Sequence, residues 1–148
     1  MFKFNWILIN KLALGSLPKE FNDFQKLNKQ GIKSIMCLCS KKEIEISKEI
    51  IKEIEKFEII KYPLPDHRYD KLPSINEVNE AVEILNNLIE KGPVFIHCYA
   101  GLERSPLICM AWLIKYKKLT IFESLQYLME VNKGTNPLPG QLKILEYL

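Results

Sequence analysis

The stretch that decides the fold reads Val94-Phe95-Ile96-His97-Cys98-Tyr99-Ala100-Gly101-Leu102-Glu103-Arg104-Ser105. Val94 to His97 is a short apolar run of the kind that forms a buried strand. Gly101 permits a tight turn. Pro106 then suits the first turn of a helix, where its missing N–H is not needed. The segment 106–117 is apolar nearly all round, which predicts a buried helix. A cysteine therefore stands at a strand end, and an arginine follows it after five intervening residues, at the start of a helix.

Working outward, residues 5–14 predict one or two short strands, ended by Gly15-Ser16-Leu17-Pro18. Lys19 to Gln30 carries Phe21, Phe24 and Leu27 at helical spacing, with Gly31 as a stop. Ile32 to Cys39 reads as a buried strand. Three Ser/Thr-x-x-Glu boxes predict helix starts at Ser40/Glu43, Ser74/Glu77 and Thr120/Glu123, each followed by apolar residues at helical period. The first predicts a helix through Ile44, Ile51, Ile54 and Phe57. Glu58 to Tyr62 is a further strand. The loop Pro63 to Pro73 holds three prolines, which bar helix. Gly134 to Gly140 reads as a loop and Gln141 to Leu148 as a terminal helix. Strands alternating with helices imply an α/β fold, a single domain over 1–148 with a mainly parallel central sheet and helices on both faces. In such sheets ligands bind at the carboxyl ends of strands, where Cys39-Ser40, Pro63 to Pro73 and Cys98 to Ser105 all fall.

The net charge of +3 over 148 residues leaves no clustered basic footprint, so no nucleic-acid partner is expected. No apolar run approaches the ~18 residues of a membrane span, and no signal peptide is evident. The expected location is the cytoplasm, where Cys98 would remain a usable thiol, and the expected state is a monomer. Cys37 and Cys39 share one face of a strand. Neither they nor Cys109 is given ligand company by His67 and His97, the two histidines. No metal and no cofactor are expected.

The chemistry of a strand-to-helix turn suits an oxyanion. Backbone N–H groups of residues 99–104 can curl around one point, and the helix start adds its positive end. A thiol there is expected to rest as a thiolate. Arg104 offers a planar fork for two phosphate oxygens. A leaving alkoxide or phenoxide needs a proton, and Asp66 in the proline-framed loop is the candidate donor, with Asp70 as its rival. As a carboxylate, Asp66 could then activate water, while Ser105 could hydrogen-bond the departing thiolate. His97 reads as a residue that fixes the loop rather than as a base. Arg68 reads as a solvated loop arginine that could touch substrate, and Gln141 either orients water or lies on a helix surface.

His97-Cys98-x-x-Gly101-x-x-Arg104-Ser105 resembles the signature of the protein tyrosine phosphatase superfamily. The short chain and its Leu-Pro-Asp loop resemble the dual-specificity branch. Lys11 to Pro18 is similar to that branch's opening segment, and Asn136-Pro137 with Gln141 to its late Asn-Pro and Gln element. The resemblance implies hydrolysis of phosphomonoesters through phosphocysteine, without metal. It makes Cys98 the nucleophile, Arg104 the phosphate clamp, Asp66 the acid/base and Ser105 the helper. Tyr99, Ala100, Gly101, Leu102 and Glu103 would complete the phosphate loop, with His97 and Gln141 in support. The implied partner is a phosphorylated protein or peptide. Two departures stand out: Leu64 replaces the tryptophan of classical tyrosine phosphatases, and Glu103 takes a place often held by a small residue. Residues 99–103 contain no lysine, which argues against polyanionic substrates. Other readings are a catalytically weak phosphate-binding module, sulfur transfer or arsenate reduction. Phosphotyrosine, phosphoserine/threonine, small-molecule and RNA phosphates all remain open as substrates.

Overall fold

In the computed structural model, which describes residues 1–148, β1 (Phe4–Leu8) and β2 (Leu12–Gly15) form an antiparallel hairpin turning at Asn10, whose φ is 61°. Helix α1 (Phe21–Lys29) leads to β3 (Ser34–Cys37). A one-turn helix α2 (Ile51–Ile54) precedes β4 (Glu58–Lys61). Helix α3 (Ile75–Lys91) returns the chain to β5 (Val94–His97). Helices α4 (Arg104–Lys117), α5 (Ile121–Val131) and α6 (Pro139–Ile144) complete it.

The sheet order is β1-β2-β5-β3-β4, parallel except for the β1 edge strand. This is the mainly parallel α/β sheet read from the sequence. Its register sets the site. His97 lies level with Gly15 on one side and Cys37 on the other. Cys98 therefore emerges from the central strand at the carboxyl edge, flanked by the chain leaving β2 and the chain leaving β3.

Two apolar layers sandwich the sheet. Phe24, Leu27, Ile50 and Phe57 pack with Ile35 and Phe95 on one face, and α3, α4 and α5 cover Met36, Leu38 and Ile96 on the other. Every residue of α4 from Arg104 to Leu113 is buried, as an all-round apolar helix requires. The Lys115–Lys118 end is solvated, with Lys115 paired to Glu83.

The boxes at Ser74 and Thr120 each cap a long helix, with Ser74 Oγ accepting from Glu77 N–H and Thr120 Oγ1 from Glu123 N–H. The box at Ser40 does not. It closes a single 3-10 turn, Lys41–Glu43, and Ile44 is already extended. The expected helix through Phe57 is reduced to that turn, a second at Lys48–Ile50, and α2. The end of the chain also differs: α6 begins at Pro139, before Gln141, and a 3-10 turn at Leu145–Tyr147 follows it.

Candidate active site

Cys98 Sγ is buried and lies 3.2 Å from Ser105 Oγ in the first turn of α4. The loop between them is held from outside by its carbonyls. Tyr99 O accepts from Leu17 N–H at 3.0 Å, Gly101 O from Asn132 Nδ2 at 3.0 Å, and Leu102 O from Asn136 N–H at 2.7 Å. The amides of residues 99–104 have no protein acceptor. Carbonyls turned to the scaffold and amides left unpaired is the arrangement that receives an oxyanion.

Gly101 has no substitute in this path. Its φ is +75°, and a Cβ there would stand 2.7 Å from Gly15 O. The loop thus rests directly on the end of β2. His97 lies beneath it, with Nδ1 3.0 Å from Cys98 O. A carbonyl only accepts, so Nδ1 carries the proton and the ring braces the loop. His97 also meets Cys37 and Cys39, with ligand-type atoms of all three within 4.8 Å. That corrects the expectation that the two cysteines lack a histidine neighbour: adjacent parallel strands bring together residues sixty positions apart. Cys109 is fully buried in α4, and burial pushes its thiol up.

Arg104 is buried. Its Nη1 and Nη2 donate to Glu43 Oε1 and Oε2 at 2.9 and 2.8 Å. Burial works against the Arg104 charge, but the hydrogen bonds and charge of Glu43, together with Cys98 and Cys39 nearby, more than offset this, so the guanidinium is held charged more firmly than a free one. The Arg104 hydrogen bonds in turn hold Glu43 below the usual carboxylate range. Nε of Arg104 is buried without a partner. One edge of the fork is therefore committed to Glu43 and the other is free. Glu43, read from the sequence as a cap alone, accepts from both Ser40 N–H and Arg104.

Asp66 and Cys98 line one cavity of about 350 Å³, together with Tyr99, Ala100, Glu103 and Arg104. Asp70 does not line it; it ends the 3-10 turn His67–Tyr69 in a left-handed conformation with φ 53°. Asp66 Oδ1 accepts from Arg68 N–H at 3.0 Å, and Oδ2 from Arg68 Nε at 2.8 Å. Arg68 is thus tied to Asp66 rather than merely solvated. Its hydrogen bonds outweigh the cost of burying the charge and hold the Asp66 carboxyl down to about 2. Arg104 Nη2 lies 4.0 Å from Asp66 Oδ2. Glu103 Oε2 lies 2.6 Å from His67 Nδ1 and so links the two loops.

Gln141 is fully buried, which removes the helix-surface reading. Its Oε1 accepts from Leu138 N–H at 2.8 Å and caps α6, and its Nε2 has no partner. Asn132 escaped notice in the sequence. It is buried and bonds Gly101 O, Thr135 Oγ1 and Asn5 Nδ2, a set of contacts with no local signature.

The Asp66–Arg68 pair has a testable consequence. An acid held near 2 is protonated in a shrinking fraction of molecules at every pH above that value. Arg68→Gln removes the main cause of the depression, and Asp66 rises towards its ordinary value of about 4. If Asp66 must be protonated, the alkaline limb of kcat/KM for an alkyl phosphate moves to higher pH by about one unit or more. A limb that stays in place shows that Asp66 is not the proton donor.

The family model described as "Dual specificity phosphatase, catalytic domain" matches residues 14–147. Dual specificity protein phosphatase PHS1 of Arabidopsis thaliana is 29% identical over 78% of this chain and 12% of its own length. Phosphatidylglycerophosphate phosphatase PTPMT2, also of Arabidopsis thaliana, is 24% identical over 91% of the chain and 58% of its own length. The chain thus spans less than two thirds of each of these relatives. Among solved structures, a mutant form of Tk-PTP matches 98% of this chain and 93% of its own with a TM-score of 0.81 at 26% identity. PTPMT1 in complex with PI(5)P shares the fold, with a TM-score of 0.80 at 20% identity over 97% of this chain and 92% of its own. No helix is long and apolar enough to cross a membrane.

Proposed function

The chain belongs to the dual-specificity phosphatase family, and from that premise we propose that it hydrolyses phosphomonoesters on phosphorylated proteins or peptides through a phosphocysteine on Cys98. The observation that carries this is convergence. Cys98 and Arg104 from one loop, and Asp66 from a separate loop 32 positions before Cys98, line one cavity whose loop amides are unpaired.

The substrate phosphate sits against the amides of residues 99–104. Arg104 meets it with the free Nε edge while Glu43 keeps the other edge in place. Cys98 Sγ attacks phosphorus, the bond to the leaving oxygen breaks, and Asp66 gives that oxygen its proton. Water then attacks the phosphocysteine. Asp66, now a carboxylate, takes the proton of that water, the S–P bond breaks, and inorganic phosphate leaves. Ser105 Oγ, 3.2 Å from Sγ, donates a hydrogen bond to the returning thiolate. The scheme requires a reduced Cys98, which suits a reducing compartment such as the cytoplasm.

The test of the activity is hydrolysis of a small aryl phosphate by reduced protein between about pH 5 and 7, blocked by vanadate. No vanadate-sensitive turnover refutes the proposal. Asp66→Asn is expected to lower kcat on an alkyl phosphate by roughly 10²- to 10³-fold, and Asp70→Asn by less than about threefold. The reverse ranking would make Asp70 the acid. The ionised Asp66 of the free protein favours one other reading, a phosphate-binding module with little turnover. In that case Asp66→Asn changes neither kcat nor phosphopeptide affinity.

A further inference from the structure

A second cavity, larger than the one at Cys98, does not contain that residue. It is an open groove of about 1290 Å³ that adjoins the smaller cavity along Asp66, Arg68 and Tyr99. Its cations come from three separated segments: Lys19 after β2, Lys41 and Lys42 after β3, and Arg68 and Lys71 in the loop after β4. Of its carboxylates, Asp66 is engaged by Arg68 and Glu43 by Arg104. Four lysines then face Glu45 alone.

Three of these lysines, Lys41, Lys42 and Lys71, are exposed and form no salt bridge. Lys19 lies 4.7 Å from the centre of the Tyr99 ring and donates to Tyr99 Oη at 3.1 Å, so its partner is a hydroxyl and not a carboxylate. Like charges gathered on one concave surface repel one another in the free protein, and an anion entering the groove relieves that repulsion. Residues 99–103 bring no cation, so the positive field stands beside the reacting phosphate rather than around it. Sequence spacing alone suggested an environment unsuited to polyanions. The fold places cations from elsewhere in the chain beside that loop.

We propose that this groove is a subsite for anionic residues flanking the phosphorylated residue of a peptide or protein, so that phosphopeptides carrying Asp, Glu or a second phosphate nearby are preferred. The proposal rests on the phosphatase reading above. The groove is larger than the roughly 300–1,000 Å³ of a small-molecule pocket. It also mixes its lysines with the apolar Leu17, Ile46 and Leu64, as an extended chain with alternating side chains requires.

The experiment compares kcat/KM for two phosphotyrosine peptides, one with Asp and Glu flanks and one with neutral flanks. The readout is their ratio, in the wild type and in Lys41→Glu/Lys71→Glu. Both sites are exposed, so the variant retains its fold. The acidic peptide is expected to lead by about tenfold at low salt, mainly through KM, in keeping with several exposed charge contacts. The ratio should approach one in the variant, and also near 1 M salt, where screening acts within about 3 Å. A wild-type ratio near one overturns the proposal, as does a ratio that the variant leaves unchanged. So does a variant that loses phosphoinositide hydrolysis in anionic vesicles while its peptide ratio is kept. If no aryl phosphate is cleaved at all, it is the phosphatase reading that fails. The groove is then judged by fluorescence anisotropy with the same peptides: lysine-dependent preference for the acidic one supports it, and equal affinity overturns it.

Discussion

Cys98→Ser is expected to abolish phosphomonoester turnover, by roughly 10⁴-fold or more, and to leave anion binding within about threefold of the wild type. The nucleophile must be ionised to attack, and a serine hydroxyl at neutral pH is not. The binding surface does not depend on the sulfur. The loop carbonyls remain tied to Leu17, Asn132 and Asn136, the amides remain free, and Arg104 remains on Glu43. The substitution is close to isosteric at a buried position that already contacts Ser105 Oγ, so the fold is retained. Steady-state hydrolysis of an aryl phosphate and calorimetric titration of phosphate measure the two halves. Residual turnover within a hundredfold of the wild type would remove Cys98 from the chemistry. Loss of phosphate binding would show that the loop is not preformed.

Arg104→Lys carries the second large effect, a fall in kcat/KM of roughly 10²- to 10³-fold. Both ends of the guanidinium are occupied in the scheme: Nη1 and Nη2 hold Glu43, and Nε stands free for phosphate. An ammonium is a point charge and cannot span two carboxylate oxygens and a phosphate at once. Lysine therefore either remains on Glu43 or leaves it, and in the second case a largely buried carboxylate loses its partner, which costs about 3–5 kcal/mol. Lower kcat/KM should accordingly be accompanied by a lower thermal midpoint. An Arg104→Lys enzyme within tenfold of the wild type would show that bidentate geometry is not used.

The features legible in the sequence are those encoded locally. Val94 to Pro106 dictates strand, glycine turn and helix within a dozen residues, and the structure reproduces each. Ser74/Glu77 and Thr120/Glu123 open long helices because an amphipathic run follows each box. Ser40/Glu43 has the same spacing, but Glu43 also answers to Arg104, 61 positions away, and the chain after it is extended. Asp66 stood out because prolines frame its loop, whereas its ion pair with Arg68 depends on a 3-10 turn that the sequence does not announce. Asn132 and the lysine groove were illegible for one common reason. Their meaning arises only when the fold brings the ends of β2, β3, β4 and β5 to one edge.

The most direct measurement is of the covalent intermediate. Asp66→Asn protein is mixed with radiolabelled aryl phosphate, whose good leaving group makes the first step less dependent on the acid, and is quenched in acid within one turnover. The account predicts label on the peptide containing Cys98 and none in Cys98→Ser/Asp66→Asn. Phosphate released in the wild type with no label ever held by Cys98 would contradict it.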